Sequence, residues 1–274
     1  MLATPLTTLD IEIGCQFDVH APTQTACVML VEPHPSEQPK LLRSTWTAVD
    51  EFSTLYVDVF GNLCRRLVIP PGFSSMSYSA RIANDGCLDP APSNARAALI
   101  QDLPETVLQF LLPSRFCESD KIANEVLTLF GDSPVDGNRV DDVVAWVHQR
   151  LSFAYGSTGP TTSAVEVLAA GSGVCRDFAH LAIAACRALN VPSRYAFGYL
   201  PDIGVVAPPV AMDFCAWMEV YLGGRWWTVD PRNNARRIGR VVVGRGRDAA
   251  DVAMMTSFGR IDLLRMIVNA EQAA

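Results

Sequence analysis

Gly173-Val174-Cys175-Arg176-Asp177-Phe178-Ala179-His180 reads as a cysteine placed at the opening of a helix. Downstream, Phe178, Leu181, Ala182, Ala185 and Leu189 recur at helical spacing, and Asn190 and Pro192 stop the run. A helix is therefore predicted over 175–189. At its head, unpaired backbone N–H groups and the helix dipole favour an anion, which lowers a thiol's pKa toward neutrality. A lone cysteine is more often a small buried hydrophobe, so this stretch alone does not assign chemistry.

A second stretch bears on the first: Asp213-Phe214-Cys215-Ala216-Trp217 through Trp227-Thr228-Val229-Asp230-Pro231. Strands are predicted over 215–222 and 225–230, joined by Gly223-Gly224 as a two-residue hairpin turn. Such a turn opposes Leu222 to Arg225 and, counting outward, Trp217 to Asp230 and Cys215 to Arg232. Side chains at 215, 217, 219 and 221 share a face because strand residues alternate. Asp230 points to the same face, a diagonal neighbour of position 215 at about 7–8 Å. A base at 215, oriented by Asp230, would serve a cysteine nucleophile at 175. Position 215 instead carries a cysteine. The four histidines are at 20, 34, 148 and 180. His180 lies about 140° round the helix from Cys175 and about 7.5 Å along it, which favours a structural role. His148 closes an amphipathic helix, and His20 and His34 fall in the β-rich N-terminal part, so none substitutes well.

That N-terminal part alternates. Leu9, Ile11, Ile13, Cys15, Phe17 and Val19 occupy every second position. Further strands are predicted over 25–31, 44–49, 55–60, 63–69 and 75–82, with Gly61-Asn62 as a two-residue hairpin turn. The pattern predicts a β-sandwich over 1–90, with a boundary in the Pro/Gly-containing segment 84–94. The period then changes to helical. Helices are predicted over 120–130, closed by Gly131, and over 140–151. Ser163-Ala164-Val165-Glu166 opens another with a capping-box pattern that ends near Gly171. A strand over 193–200 precedes the hairpin. The fold class is α+β, with residues 91–274 forming the second domain after a helical lead-in.

Gly-Val-Cys-Arg-Asp-Phe-Ala-His, then Val191-Pro192-Ser193-Arg194-Tyr195, then Phe214-x-Ala216-Trp217-x-Glu219-x-Tyr221-Leu222 and Asp230-Pro231 resemble the bacterial transglutaminase-like superfamily. Leu111-Leu112-Pro113-Ser114-Arg115-Phe116-Cys117 and the β-rich N-terminal part are similar to that family's two-domain members. The resemblance implies a papain-like α+β core, Cys175 as nucleophile and Asp230 as third member of a triad. It also implies histidine at position 215, where this chain has cysteine.

The exchange constrains the chemistry. A thiol cannot form the thiolate–imidazolium pair that gives papain-type cysteines their very low pKa. Beside Asp230, Cys215 should have its own pKa raised by a like charge, leaving Cys215 protonated and Cys175 partly ionised. Three readings follow. Cys175 acts in acyl transfer or amide hydrolysis on an amide, acyl or small carboxylated substrate. Alternatively, Cys175 and Cys215 form a two-thiol acid/base pair for an isomerase or racemase. In the third, the site is catalytically inactive and binds, or the thiols are redox-active as a disulfide. Asp177, Asp213, Trp217 and Arg232 are candidate substrate contacts. Seven arginines between 225 and 247 could include one that reads a substrate carboxylate.

Composition bounds the partners. With 49% hydrophobic and 19% charged residues in 274, the chain can bury a full core. A net charge of -7 argues against nucleic acid, and no apolar run reaches membrane-span length. Eight cysteines show no C-x-x-C pair and no metal-ligand spacing, so neither metal nor cofactor is expected. With no basic start and apolar run in the first ten residues, a reduced cytoplasmic enzyme is expected. Its partner would be a small molecule or peptide, with homo-oligomerisation left open.

Overall fold

The computed structural model describes residues 9–48, 53–92 and 95–273. Alternation along β1 (Leu9–Ala21) puts Ile11, Ile13, Cys15, Phe17 and Val19 on one buried face. Next come β2 (Thr25–Met29), β3 (Leu41–Thr47), β4 (Thr54–Val57), β5 (Leu63–Ile69) and β6 (Gly72–Asn84). They pair antiparallel in two sheets. Inner-face residues such as Phe17, Met29, Leu67 and Met76 bury one core between the sheets. Val49 of the third predicted strand and Asn94 of the predicted boundary lie outside the described residues. The turn expected at Gly61-Asn62 is a longer loop, since Val57 pairs with Leu63. Asp58 accounts for the difference: its carboxylate accepts the N–H groups of Phe60 and Asn62, both at 2.8 Å, and organises the loop.

The helical section opens with the short α1 (Glu105–Leu108), followed by α2 (Ser119–Phe130) and α3 (Gly137–Arg150). The side chain of Asp136 caps α3 by accepting the N–H groups of Asn138 and Arg139. The two-residue β7 (Ser152–Phe153) precedes α4 (Ala164–Ala170), whose first turn is closed by Glu166 accepting the Ser163 N–H at 2.7 Å. Gly171, at φ 71°, ends α4 in the left-handed conformation that glycine adopts most easily. The two-residue β8 (Ser172–Gly173) pairs parallel with β7 and leads into α5 (Cys175–Ala188).

Helix α5 is the axis of the core. Residues 177–187 are all buried along it, and α2, α3 and α4 pack around it. Against its other side lie β9 (Ser193–Tyr199) and β10 (Cys215–Leu222), joined in one antiparallel sheet by β11 (Arg225–Val229) and β12 (Val241–Gly246). The strand order is β11-β10-β9-β12. Truncating Leu181, fully buried in α5, is of the kind that costs about 2–5 kcal/mol.

The chain then returns to its beginning. β13 (Met255–Ser257) pairs with β2, and β14 (Asp262–Gln272) pairs with β1 along ten residues. A division at 1–90 and 91–274 therefore needs correcting at its far end, because 255–272 lie in the first two sheets. Leu263 and Leu264 are both exposed, so the hydrophobic alternation that marks β1 is weak in β14. None of the described helices is long and apolar enough to cross a membrane.

Buried polar contacts lock the sandwich to the core. The Tyr199 hydroxyl donates to the Val31 carbonyl at 3.0 Å, and the His34 N–H donates to the Val242 carbonyl at 2.8 Å. Asn62 uses both ends of its amide on the backbone of Arg245. Arg245 and Arg194 in turn meet the buried carboxylate of Glu219. Burial pushes that carboxyl up, but the two guanidinium groups outweigh it, and its pKa falls below the ordinary 4.5. A depressed folded pKa means the contribution is complete above the unfolded value and lost as pH falls through the folded one. Glu219→Gln should flatten the acid limb of the stability–pH curve in urea titrations. Glu219→Ala, which strands two guanidinium groups, should lose about 3–5 kcal/mol at pH 7.

Candidate active site

Cys175 sits in the first turn of α5, and its surroundings are built from the preceding residues. Asp177, fully buried, accepts the Val174 N–H at 2.9 Å and the Thr158 hydroxyl, and pairs with Arg176 at 2.8 Å. This closes the helix opening back on itself. A Cβ on Gly173 would lie 2.7 Å from that of Asp177, so the glycine of the motif makes room for the cap. Asp177 is thus engaged in the helix start.

The hairpin register follows the sequence reading. Leu222 opposes Arg225, and the ladder continues to Met218 opposite Val229, where β11 ends. Cys215 opens β10, half-buried like Cys175, and the two thiols line the same two cavities, close enough for each to shift the other's titration. Both are free. Carbonyl oxygens lie near each sulfur as well, Phe214 at 4.0 Å from Cys175 Sγ and Ala216 at 3.7 Å from Cys215 Sγ.

The pair is electrostatically unequal. The neighbouring Cys215 thiol draws the Cys175 pKa below the ordinary thiol value of 9.0 against the opposing effect of burial. The charge of Arg232 assists and that of Asp213 opposes. Cys215 moves the other way, well above 9.0, because it neighbours the Cys175 thiol, is buried and faces a developing thiolate. Asp230 adds to this as a like charge. The direction is the one inferred from the sequence, but the neighbouring thiol is a larger cause than Asp230.

Asp230 itself does not orient Cys215. Its Oδ1 accepts the Asn233 N–H at 2.9 Å, and its Oδ2 accepts the Asn233 amide at 2.7 Å and the Arg240 guanidinium at 2.5 Å. Arg240 also bonds Asp89 at 2.7 Å and lies 4.8 Å from the Trp217 ring centre. Trp217 is fully buried against Ala196 and Val242, and it lines neither cavity at the thiols, contrary to its expected role in substrate binding.

Two cavities meet at the thiol pair. One, of about 320 Å³, is walled by Phe153, Tyr155, Arg232 and the apolar loop that includes Pro208, Val210 and Met212. The other, of about 410 Å³, runs beside Phe116, Phe197, Val252, Met254 and Met255. Val174, Cys175, Asp213, Phe214 and Cys215 line both. Asp213 accepts the adjacent Phe214 N–H at 2.7 Å, and burial raises its pKa. Tyr155, Met254 and the 207–212 loop escaped the sequence reading because a cavity wall of loop residues carries no period.

No histidine replaces the missing base. His180 is buried between Phe116 and Tyr195, accepts the Ala249 N–H at 3.1 Å, and has its pKa pushed down by burial to about 3. It is neutral and structural. His148 is exposed, with Nδ1 3.0 Å from the Arg232 carbonyl. His34 bonds Ser36 on the sandwich side. Among the described residues, no group of three or more His, Cys, Asp or Glu side chains forms a metal-ligand set.

The sequence and fold are similar to those of known proteins. Residues 122–231 match the model of the transglutaminase-like superfamily. That stretch is a transglutaminase-like domain. The structure of a candidate cysteine protease from Cytophaga hutchinsonii superposes with a TM-score of 0.84 at 28% identity, covering 98% of this chain and 92% of that one. Uncharacterised proteins of Mycobacterium leprae and Mycobacterium tuberculosis are 38% identical over 111 residues and 39% identical over 124. These alignments span only 39% and 38% of those proteins' own length. The transglutaminase-like core thus has α5 and β10 bringing positions 175 and 215 together, with two thiols facing each other.

Because Asp230 neutralises Arg240 and anchors Asn233, its removal should act first on stability. Asp230→Ala is expected to lose about 3 kcal/mol in urea unfolding. A loss below about 1 kcal/mol would show that the Arg240–Asp230 pair is not the structural tie described.

Proposed function

We propose that this chain is a cysteine-dependent acyl-transfer enzyme. Cys175 is its nucleophile, and Cys215 is the hydrogen-bond donor and proton carrier in the position where the family resemblance implies histidine. The observation that carries this reading is the placement of both thiols at the meeting of two open cavities, with Cys175 at the head of α5. The Cys175 thiolate attacks an acyl carbon, forming the S–C bond and an oxyanion. The N–H of Cys175, lacking an intrahelical acceptor in the first turn, is the donor available to that oxyanion. Collapse breaks the bond to the leaving group, which takes the Cys215 proton if it needs one. Water then attacks the thioester carbon, giving its proton to Cys215 where that thiol has been deprotonated and otherwise to solvent, and the C–S bond breaks to release the carboxylic acid product and the Cys175 thiolate.

The pKa asymmetry limits the substrates. A thiol well above 9.0 is a weak acid toward a departing amine, and losing a well-matched general acid costs about 10²- to 10⁴-fold. Thioesters and activated esters, whose leaving groups depart unprotonated, should therefore react far better than amides.

Incubation with an acetyl or butyryl thioester should add one acyl group at Cys175, seen by intact mass and peptide mapping. Cys175→Ala should abolish the adduct. Cys215→His should raise turnover of an anilide substrate by about 10²-fold by restoring an acid near neutral pH. An adduct that forms equally in Cys175→Ala, or none in the native chain, would remove the reading.

A further inference from the structure

Asp230 is held by Asn233 and Arg240. Its oxygens fix the backbone and amide of Asn233. The Asn233 Oδ1 then accepts Arg232 Nη1 at 2.9 Å. The Arg232 guanidinium lies 4.4 Å from the centre of the Phe153 ring, and His148 Nδ1 sits 3.0 Å from the Arg232 carbonyl. Two contacts, to Asn233 and to the Phe153 ring, therefore set the place of the guanidinium, while His148 holds the backbone behind it.

Its charge is left without a partner. Among the described residues Arg232 forms no ion pair, whereas nearby Arg237 meets Asp202, and Arg240 meets Asp89 and Asp230. Arg232 lines the 320 Å³ cavity together with Cys175 and Cys215, close enough for its charge to act on the Cys175 thiol. The two carboxylates of that cavity have other partners: Asp202 has Arg237, and Asp213 has the Phe214 N–H. Most of the remaining wall is apolar, including Leu200, Pro208, Val210 and Met212. A planar guanidinium with free N–H donors in such a wall matches a carboxylate, by charge and by paired hydrogen bonds.

We propose that Arg232 determines specificity at this site by binding a free carboxylate on the acyl substrate, a few bonds from the carbon that Cys175 attacks. The cavity volume, at the low end for ligand sites, suits a small carboxylated acyl compound. The substrate class rests on the reading of Cys175 as the acyl-accepting thiol, while the anion site does not.

Two alkylating probes separate the questions: N-iodoacetylglycine and its neutral analogue N-iodoacetylglycinamide. Their rates at Cys175 are read by intact mass and peptide mapping. The ratio of the two rates cancels changes in thiolate fraction. A chain with net charge -7 should disfavour the anion in bulk, so a preference for it must arise locally. The native chain should prefer the carboxylate probe by at least about tenfold, Arg232→Met should bring the ratio to about one or below, and Arg232→Lys should fall between. The amide's rate in urea marks what an unfolded variant would give and separates misfolding from loss of the anion contact. A native ratio of one or less, or a preference that a folded Arg232→Met retains, would overturn the proposal. If the ratio behaves as expected while acyl thioesters leave Cys175 unmodified, the anion site stands and the acyl-transfer reading falls.

Discussion

The closeness of Cys175, at the head of α5, to Cys215, at the start of β10, is the constraint around which the site is arranged. An imidazole would bring its own positive charge to a thiolate. A second thiol brings only a hydrogen-bond donor and must keep its proton to do so. The result is one sulfur drawn below the ordinary pKa and one pushed above it. Such a pair titrates as a unit. The helix start adds to it, with Asp177 closing the first turn and Gly173 leaving room for that closure.

With no imidazole to orient, the buried carboxylate of Asp230 is bound up in structure. It ties β11 to Arg240, which covers Trp217 and reaches Asp89, and it fixes Asn233 beside Arg232. This binds the floor of the site to the rest of the core while leaving an arginine charge facing the cavity. The sandwich is fastened to the opposite edge of the same sheet through Asn62, Arg245 and Glu219. The cleft is therefore held from both sides by polar groups that are themselves buried.

Much of this was legible in the sequence where a period or a turn fixes geometry. Gly223-Gly224 sets the hairpin, and its register put Cys215 and Asp230 on one end of the sheet, as found. The cap at Ser163 and Glu166 and the helix opening at Cys175 were read from local chemistry. Side-chain direction was not. A register places Asp230 near position 215 but says nothing of Asn233 and Arg240, which draw its carboxylate away. The burial of Trp217 against Ala196 and Val242 is hidden for the same reason, since it depends on residues distant in sequence. The return of β14 to β1 was hidden too, because its weak alternation carries no record of a strand 250 residues earlier.

The central claim is that the Cys215 S–H stabilises the Cys175 thiolate. It is tested most directly by the pH dependence of Cys175 alkylation with iodoacetamide, followed by peptide mapping in the native chain and in Cys215→Ala. The midpoint should lie below 9.0 in the native chain and move upward when the donor is removed. A midpoint that stays in place or falls in Cys215→Ala would contradict the account.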